Sequence, residues 1–110
     1  MRIAFDCYGT LLGNYEDKVL RFYRWLEKQG HEMIIWSSLW CYVDEVKKRH
    51  GINGIGSAKL SKFDIEDENE HYDIAIDDDV YHSQHLAAKK VILVKDIPEE
   101  EEKFHHLIGG

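Results

Sequence analysis

Residues 1–10 read MRIAFDCYGT. A short apolar run bounded by turn residues reads as a buried strand, here Arg2–Phe5, and this one closes on Asp6. Gly9 and Thr10 turn the chain immediately afterwards, and Tyr8 stands two residues beyond the acid. An acid at the end of an apolar strand is, taken alone, most simply a turn or cap residue. The rest of the chain determines whether it is more.

Beyond the turn, Asn14 is placed to cap a helix running to about Gln29. Val19, Phe22, Tyr23 and Leu26 fall at i, i+3, i+4 and i+7, and Gly30 stands where a left-handed residue ends helices. Met33–Trp36 reads as a second strand, ending on Ser37-Ser38. A second helix follows, with Leu39, Val43 and Val46 on one face, a basic last turn (Lys47–His50) and Gly51 after it. The glycine-rich INGIGSAKLSKF predicts only a short third strand near Ser57–Leu60. Asp64–His71 is acidic and reads as a loop. Tyr72–Ile76 is a fourth strand closing on Asp77-Asp78-Asp79, followed by a short helix over about Val80–Ala88 and a fifth strand, Val91–Lys95. Pro98 then opens a last helix with glutamates 99–102 in its first turn, where the helix dipole favours negative charge. Strands alternating with helices predict an α/β fold with a mostly parallel sheet covered on both faces.

The chain has 110 residues, 44% apolar and 12% aromatic, which suits a single domain over 1–110 with a real core. Its net charge of -7 leaves no basic surplus for a nucleic-acid backbone. No run approaches the ~20 apolar residues of a membrane span. Two cysteines, Cys7 and Cys41, make no disulfide framework; with no signal peptide in view, the expectation is a soluble protein of the reducing cytoplasm.

Three predicted strands end in polar chemistry, at Asp6, at Ser37 and at Asp77-Asp78. In a parallel sheet these ends share one edge, where open α/β sheets bind ligands. Carboxylates gathered near an anion-binding hydroxyl repel one another and any anion, and a divalent cation resolves that conflict. Hard oxygen donors of this kind suit Mg²⁺.

With these residues in place, the chain resembles the haloacid dehalogenase-like (HAD) hydrolases. FDCYGTLL is similar to their first motif, IIWS to the second, and YDIAIDDD to the fourth; the motif lysine is Lys62 or Lys59, with Lys62 preferred. The resemblance implies a Rossmann-like three-layer sandwich with strand order 5-4-1-2-3. It makes Asp6 the nucleophile that becomes an aspartyl-phosphate, Ser37 a phosphoryl hydrogen-bond donor and Lys62 a charge-neutralising cation. Mg²⁺ would be held by Asp6, Asp77 and the backbone carbonyl of Tyr8, with Asp78 as a further ligand or as support for the ligands. The implied function is a Mg²⁺-dependent phosphatase acting on a phosphorylated substrate.

Tyr8 departs from the pattern. Phosphatases of the family carry there a second aspartate, which protonates the leaving group and activates water. The dehalogenase branch carries tyrosine, but lacks the acidic pair that Asp77-Asp78 provides. A phenol with a pKa near ~10 donates a proton but is a poor base at neutral pH, so the expectation is slow turnover or a restriction to good leaving groups. A binding protein without catalysis and a dehalogenase-like hydrolase are the alternatives. Neither Cys7–Asn14 nor Ser61–His71 is long enough to hold a cap domain. The site is therefore expected to be open, with a macromolecular or exposed substrate, or a lid from another subunit of an oligomer. Trp36, Trp40 and Tyr42 flank Ser37 and are candidates for lining it or for the core. A receiver-type signalling domain would carry its acidic pair on the first strand, and here the pair comes last. A transition-metal site built on Asp77–Asp79 with His82 and His85 is the remaining rival.

Overall fold

Alternating large and small apolar side chains build the central sheet. A computed structural model describes residues 1–37, 39–57, 72–78 and 88–109. Its elements are β1 (Arg2–Asp6), α1 (Glu16–Lys28), β2 (Glu32–Trp36), α2 (Trp40–His50), β3 (Ile55–Ser57), β4 (Tyr72–Asp77) and β5 (Ala88–Leu93), with 3₁₀ turns at Val94–Asp96 and Glu101–His106. The five strands form one sheet in the order β3-β2-β1-β4-β5, and every pairing is parallel. This is the Rossmann-like α/β arrangement and the strand order 5-4-1-2-3, traced from the other edge.

Register follows from the side chains. In β1 and β4, Ile3 pairs with Ile74, Ala4 with Ala75 and Phe5 with Ile76. Large residues therefore stand beside large ones on one face, and the two alanines meet on the other. The large face, with Met33, Ile35 and Ile92, packs against Val19, Phe22, Tyr23 and Leu26 of α1 and Val43 and Val46 of α2, all buried. The opposite face buries Ala4, Ile34, Trp36 and Ala75. The loop expected over 64–71 and the helix expected over about Val80–Ala88 lie outside the described residues, except Ala88, which starts β5 instead. No helix among the described residues is long and apolar enough to cross a membrane.

Several boundaries differ from the sequence expectation. Helix α1 begins at Glu16 with Tyr15 as its N-cap and no side-chain capping bond, so Asn14 does not cap it. Helix α2 ends as expected: Gly51 takes the left-handed φ of 65° and its N–H donates to the Lys47 carbonyl at 2.9 Å. Strand β3 is earlier than expected, at Ile55–Ser57, and β5 starts earlier too, at Ala88. The segment after Pro98 forms a 3₁₀ helix rather than an α-helix.

That 3₁₀ helix is anchored by one residue. Phe104 is fully buried, with its ring centroid 5.0 Å from Phe22 and 5.8 Å, edge-on, from Trp25. Burying an aromatic of this size and keeping its ring contacts stabilises the C-terminal segment against α1. Phe104→Ala is expected to lower stability by about 3–5 kcal/mol, read as a shifted urea midpoint. A midpoint unchanged within error would show that the segment does not belong to the cooperative core.

Candidate active site

The parallel register that seats the core also sets the polar edge. Asp6 is the last residue of β1 and Asp77 the last of β4, and these strands are neighbours. Asp6, Asp77 and Asp78 each place a carboxylate oxygen within 4.8 Å of the other two. Asp77 is fully buried, Asp6 is 8% exposed and Asp78 lies at the surface, so the cluster runs from the interior to the mouth of the site. Two buried charges no more than 4.8 Å apart repel by at least about 3 kcal/mol at an effective dielectric of about 20.

The titration of Asp6 reflects this. Its carboxyl is pushed up to about 8, first by burial, then by the charges of Asp77 and Asp78 and by a hydrogen bond with the Asp78 side chain; the Cys7 N–H pulls the other way. In the absence of a cation, Asp6 thus tends to keep its proton near neutral pH. Cys7, buried beside Asp6, has its thiol pushed up to about 12 by burial first and then by the Asp6 and Glu45 charges, and is no nucleophile at neutral pH.

The loop after β1 is folded tightly onto this cluster. The Gly9 N–H donates to Leu12 O at 2.6 Å, and the Leu12 and Thr10 N–H groups both donate to Cys7 O, at 2.8 and 3.1 Å. Gly9 has a φ of 85°, and a Cβ there would stand 2.2 Å from Asp78 Oδ2. Both its conformation and the approach of the Asp78 carboxylate require glycine. From behind, the buried His50 ring bonds through Nε2 to the Leu11 carbonyl at 2.6 Å and lies 3.5 Å from Glu16, which pairs with Arg49 at 2.8 Å.

Ser37 follows the end of β2, whose last residue Trp36 pairs with Asp6. It is buried, its N–H donates to Ser57 O at 3.0 Å, and its Oγ accepts from the Leu39 N–H at 3.2 Å. The hydroxyl keeps its own proton for a further acceptor. Asp6, Ser37, Asp77 and Asp78 therefore occupy one sheet edge. Tyr8 stands at its rim with its side chain open to solvent, 72% exposed. Lys62 and Lys59, Asp79, His82 and His85 lie outside the described residues.

A cavity of about 750 Å³ opens next to the cluster, lined by Tyr8, Gly9, Leu12, Gly13, Asn14, Tyr15, Asp78, Leu93, Val94 and Lys95. It lies over the β1 loop and the end of β5, not beside Ser37. Trp36 and Trp40 are not part of its lining: Trp36 is in the core, and Trp40 is exposed and packs over Gly56, where a Cβ would meet its ring at 2.9 Å. Tyr42 touches the site only through the Tyr8 ring, centroids 6.0 Å apart. Lys95 is the residue that sequence reasoning passed over. It reads as the end of an edge strand, and only the position of β5 beside β4 brings it to the cavity.

Compared with family models, with curated proteins and with solved structures, the chain matches none.

The Asp6 shift gives a signed pH dependence. A carboxyl raised from 3.8 to about 8 in the folded state contributes stability that is fully present below about pH 3.8 and lost as pH rises through about 8. The metal-free melting temperature is thus expected to fall between pH 5.5 and 8.5, and less steeply in Asp6→Asn. Parallel profiles for the two proteins would show that Asp6 is not the strained group.

Proposed function

We propose that the chain is a Mg²⁺-dependent phosphoester hydrolase working through an aspartyl-phosphate on Asp6. The observation that carries this reading is the meeting of Asp6, Asp77 and Asp78 within 4.8 Å at the carboxyl edge of the sheet. The donor set fits the cation: three carboxylates, one of them forced to hold a proton when alone, are the hard oxygen ligands that Mg²⁺ takes. Asp6, Asp77 and Asp78 would hold it, and the HAD resemblance adds the Tyr8 backbone carbonyl. When bound, the cation offsets the carboxylate repulsion and stabilises negative charge on the phosphoryl oxygens.

Each residue then has a defined task. An Asp6 oxygen forms a bond to phosphorus as the ester P–O bond breaks, and water later cleaves the resulting acyl phosphate. The buried Ser37 hydroxyl donates its remaining proton to a phosphoryl oxygen. Tyr8, at the rim, gives its phenolic proton to the departing oxygen; as a weak base it does little for the water step. The family lysine, Lys62 or Lys59, retains its place in this reading through the resemblance alone. A cytoplasmic setting accords with the two free cysteines, Cys7 buried and Cys41 exposed.

The exposed tyrosine in place of an acid favours one second reading, a metal- and phosphate-binding protein that turns nothing over. A panel of phosphoesters assayed with and without Mg²⁺ separates the two. Mg²⁺-dependent phosphate release is expected from aryl phosphates, and its abolition by Asp6→Asn; release that persists in that variant, or none in the wild type, rejects the hydrolase. Tyr8→Asp restores the acid–base group and is expected to raise turnover of an aryl phosphate, by up to about 10²-fold. No rise would mean that Tyr8 does not limit the rate.

A further inference from the structure

Among the described residues, the cavity beside the acid cluster carries two charged residues on its lining, and they are of opposite sign. Asp78 belongs to the cluster. Lys95 stands on the neighbouring strand's continuation: Asp77 pairs with Leu93, so Lys95 lies two residues beyond that partner. Lys95 is exposed and takes part in none of the ion pairs found among the described residues. The same lining includes the aromatic residues Tyr8 and Tyr15 and the apolar Leu93. Both rings are braced: the Lys18 ammonium lies 4.8 Å over the Tyr15 ring, and Tyr42 packs at 6.0 Å from Tyr8.

A volume of about 750 Å³ falls within the ~300–1,000 Å³ of small-molecule sites. It is too large for a phosphoryl group, whose place in the reading above is at Asp6. It adjoins the acid cluster through Asp78, which places it within reach of the rest of the substrate, its leaving group. A chain of net charge -7 repels anionic ligands, and a cation at the aspartates answers only the phosphoryl end. Lys95 answers the other end, and tyrosine faces at half exposure or more favour a flat ring over a flexible chain.

We propose that this cavity seats the leaving group of the phosphoester as an aromatic ring against Tyr8 and Tyr15, with Lys95 binding an anionic substituent on that ring. The inference rests on the phosphoesterase reading. It assigns the substrate class, a phosphomonoester of an aromatic alcohol bearing a second negative group, and a specificity residue outside the acid cluster.

The test compares phenyl phosphate with 4-carboxyphenyl phosphate in the presence of Mg²⁺, using wild type, Lys95→Gln and Lys95→Glu. A partly exposed ion pair supports a modest preference, so the wild-type kcat/KM ratio is expected to favour the carboxylated substrate by about fivefold. The ratio should fall to near one in Lys95→Gln and invert in Lys95→Glu. A ratio that is the same in all three proteins overturns the assignment. Calorimetric titration with phenylphosphonate and 4-carboxyphenylphosphonate keeps the two levels of the argument apart. If both bind equally well, only the anion site fails. If neither binds and neither phosphate is hydrolysed, the phosphoesterase reading fails and the anion site with it.

Discussion

The pairing of β1 with β4 is the constraint on which the site depends. It sets two apolar strands side by side so that each ends on an acid, and it does so through packing that has nothing to do with the acids. Large residues meet large ones, Phe5 beside Ile76, while Ala4 meets Ala75 on the other face. A slip of one residue would put Phe5 beside Ala75, exchanging large and small side chains between the two faces. The core thus fixes the register, and the register forces Asp6 toward Asp77. A repulsion of a few kcal/mol is tolerated because the strands beneath it have no better alignment.

The loop that follows β1 converts this strained edge into a shaped one. It is short, closed by its own backbone bonds, and fastened to α2 through His50 on the Leu11 carbonyl. Glycine at position 9 lets the backbone come against the Asp78 carboxylate, which an alanine methyl would displace. Tyr8 is thereby held at the rim rather than folded into the core. Asp6 and Tyr8 thus stand on either side of the start of one turn, the acid turned into the cluster and the tyrosine out to its rim.

The sequence is most legible where burial is greatest. The stripe Val19, Phe22, Tyr23 and Leu26 is buried as its spacing requires, and β1, β2 and β4 lie within a residue of their expected limits. Errors gather at the sheet edges. Strand β5 begins AKK, with both lysines exposed; an edge strand accommodates such charges, whereas a local reading starts the strand only at the apolar Val91. Strand β3 is three residues long and includes a glycine, so it has almost no signal of its own. The C-terminal segment has the acidic start of a helix but only six residues, too few for α-helical propagation to outweigh its nucleation. The acid cluster was legible because each acid ends a buried strand. The cavity was not, since its lining joins the β1 loop to the end of the most poorly signalled strand but one.

Tyr8 and the cavity bear on the same question from two sides. A phenol can donate a proton but cannot serve as an effective base near neutral pH, so the chemistry available at the rim suits a leaving group that needs little help. Aromatic alcohols are such groups: with a pKa near that of tyrosine, ~10, they depart far more readily than alkoxides. The same ring that limits acid–base help also forms part of the wall of the cavity in which an aromatic leaving group would lie. Under the proposed hydrolase reading, tyrosine at position 8 exchanges base help in the water step for contact with an aromatic leaving group, which needs little acid help to depart. On this view the identity of residue 8 and the aromatic lining are a single adaptation, and neither is intelligible without the other.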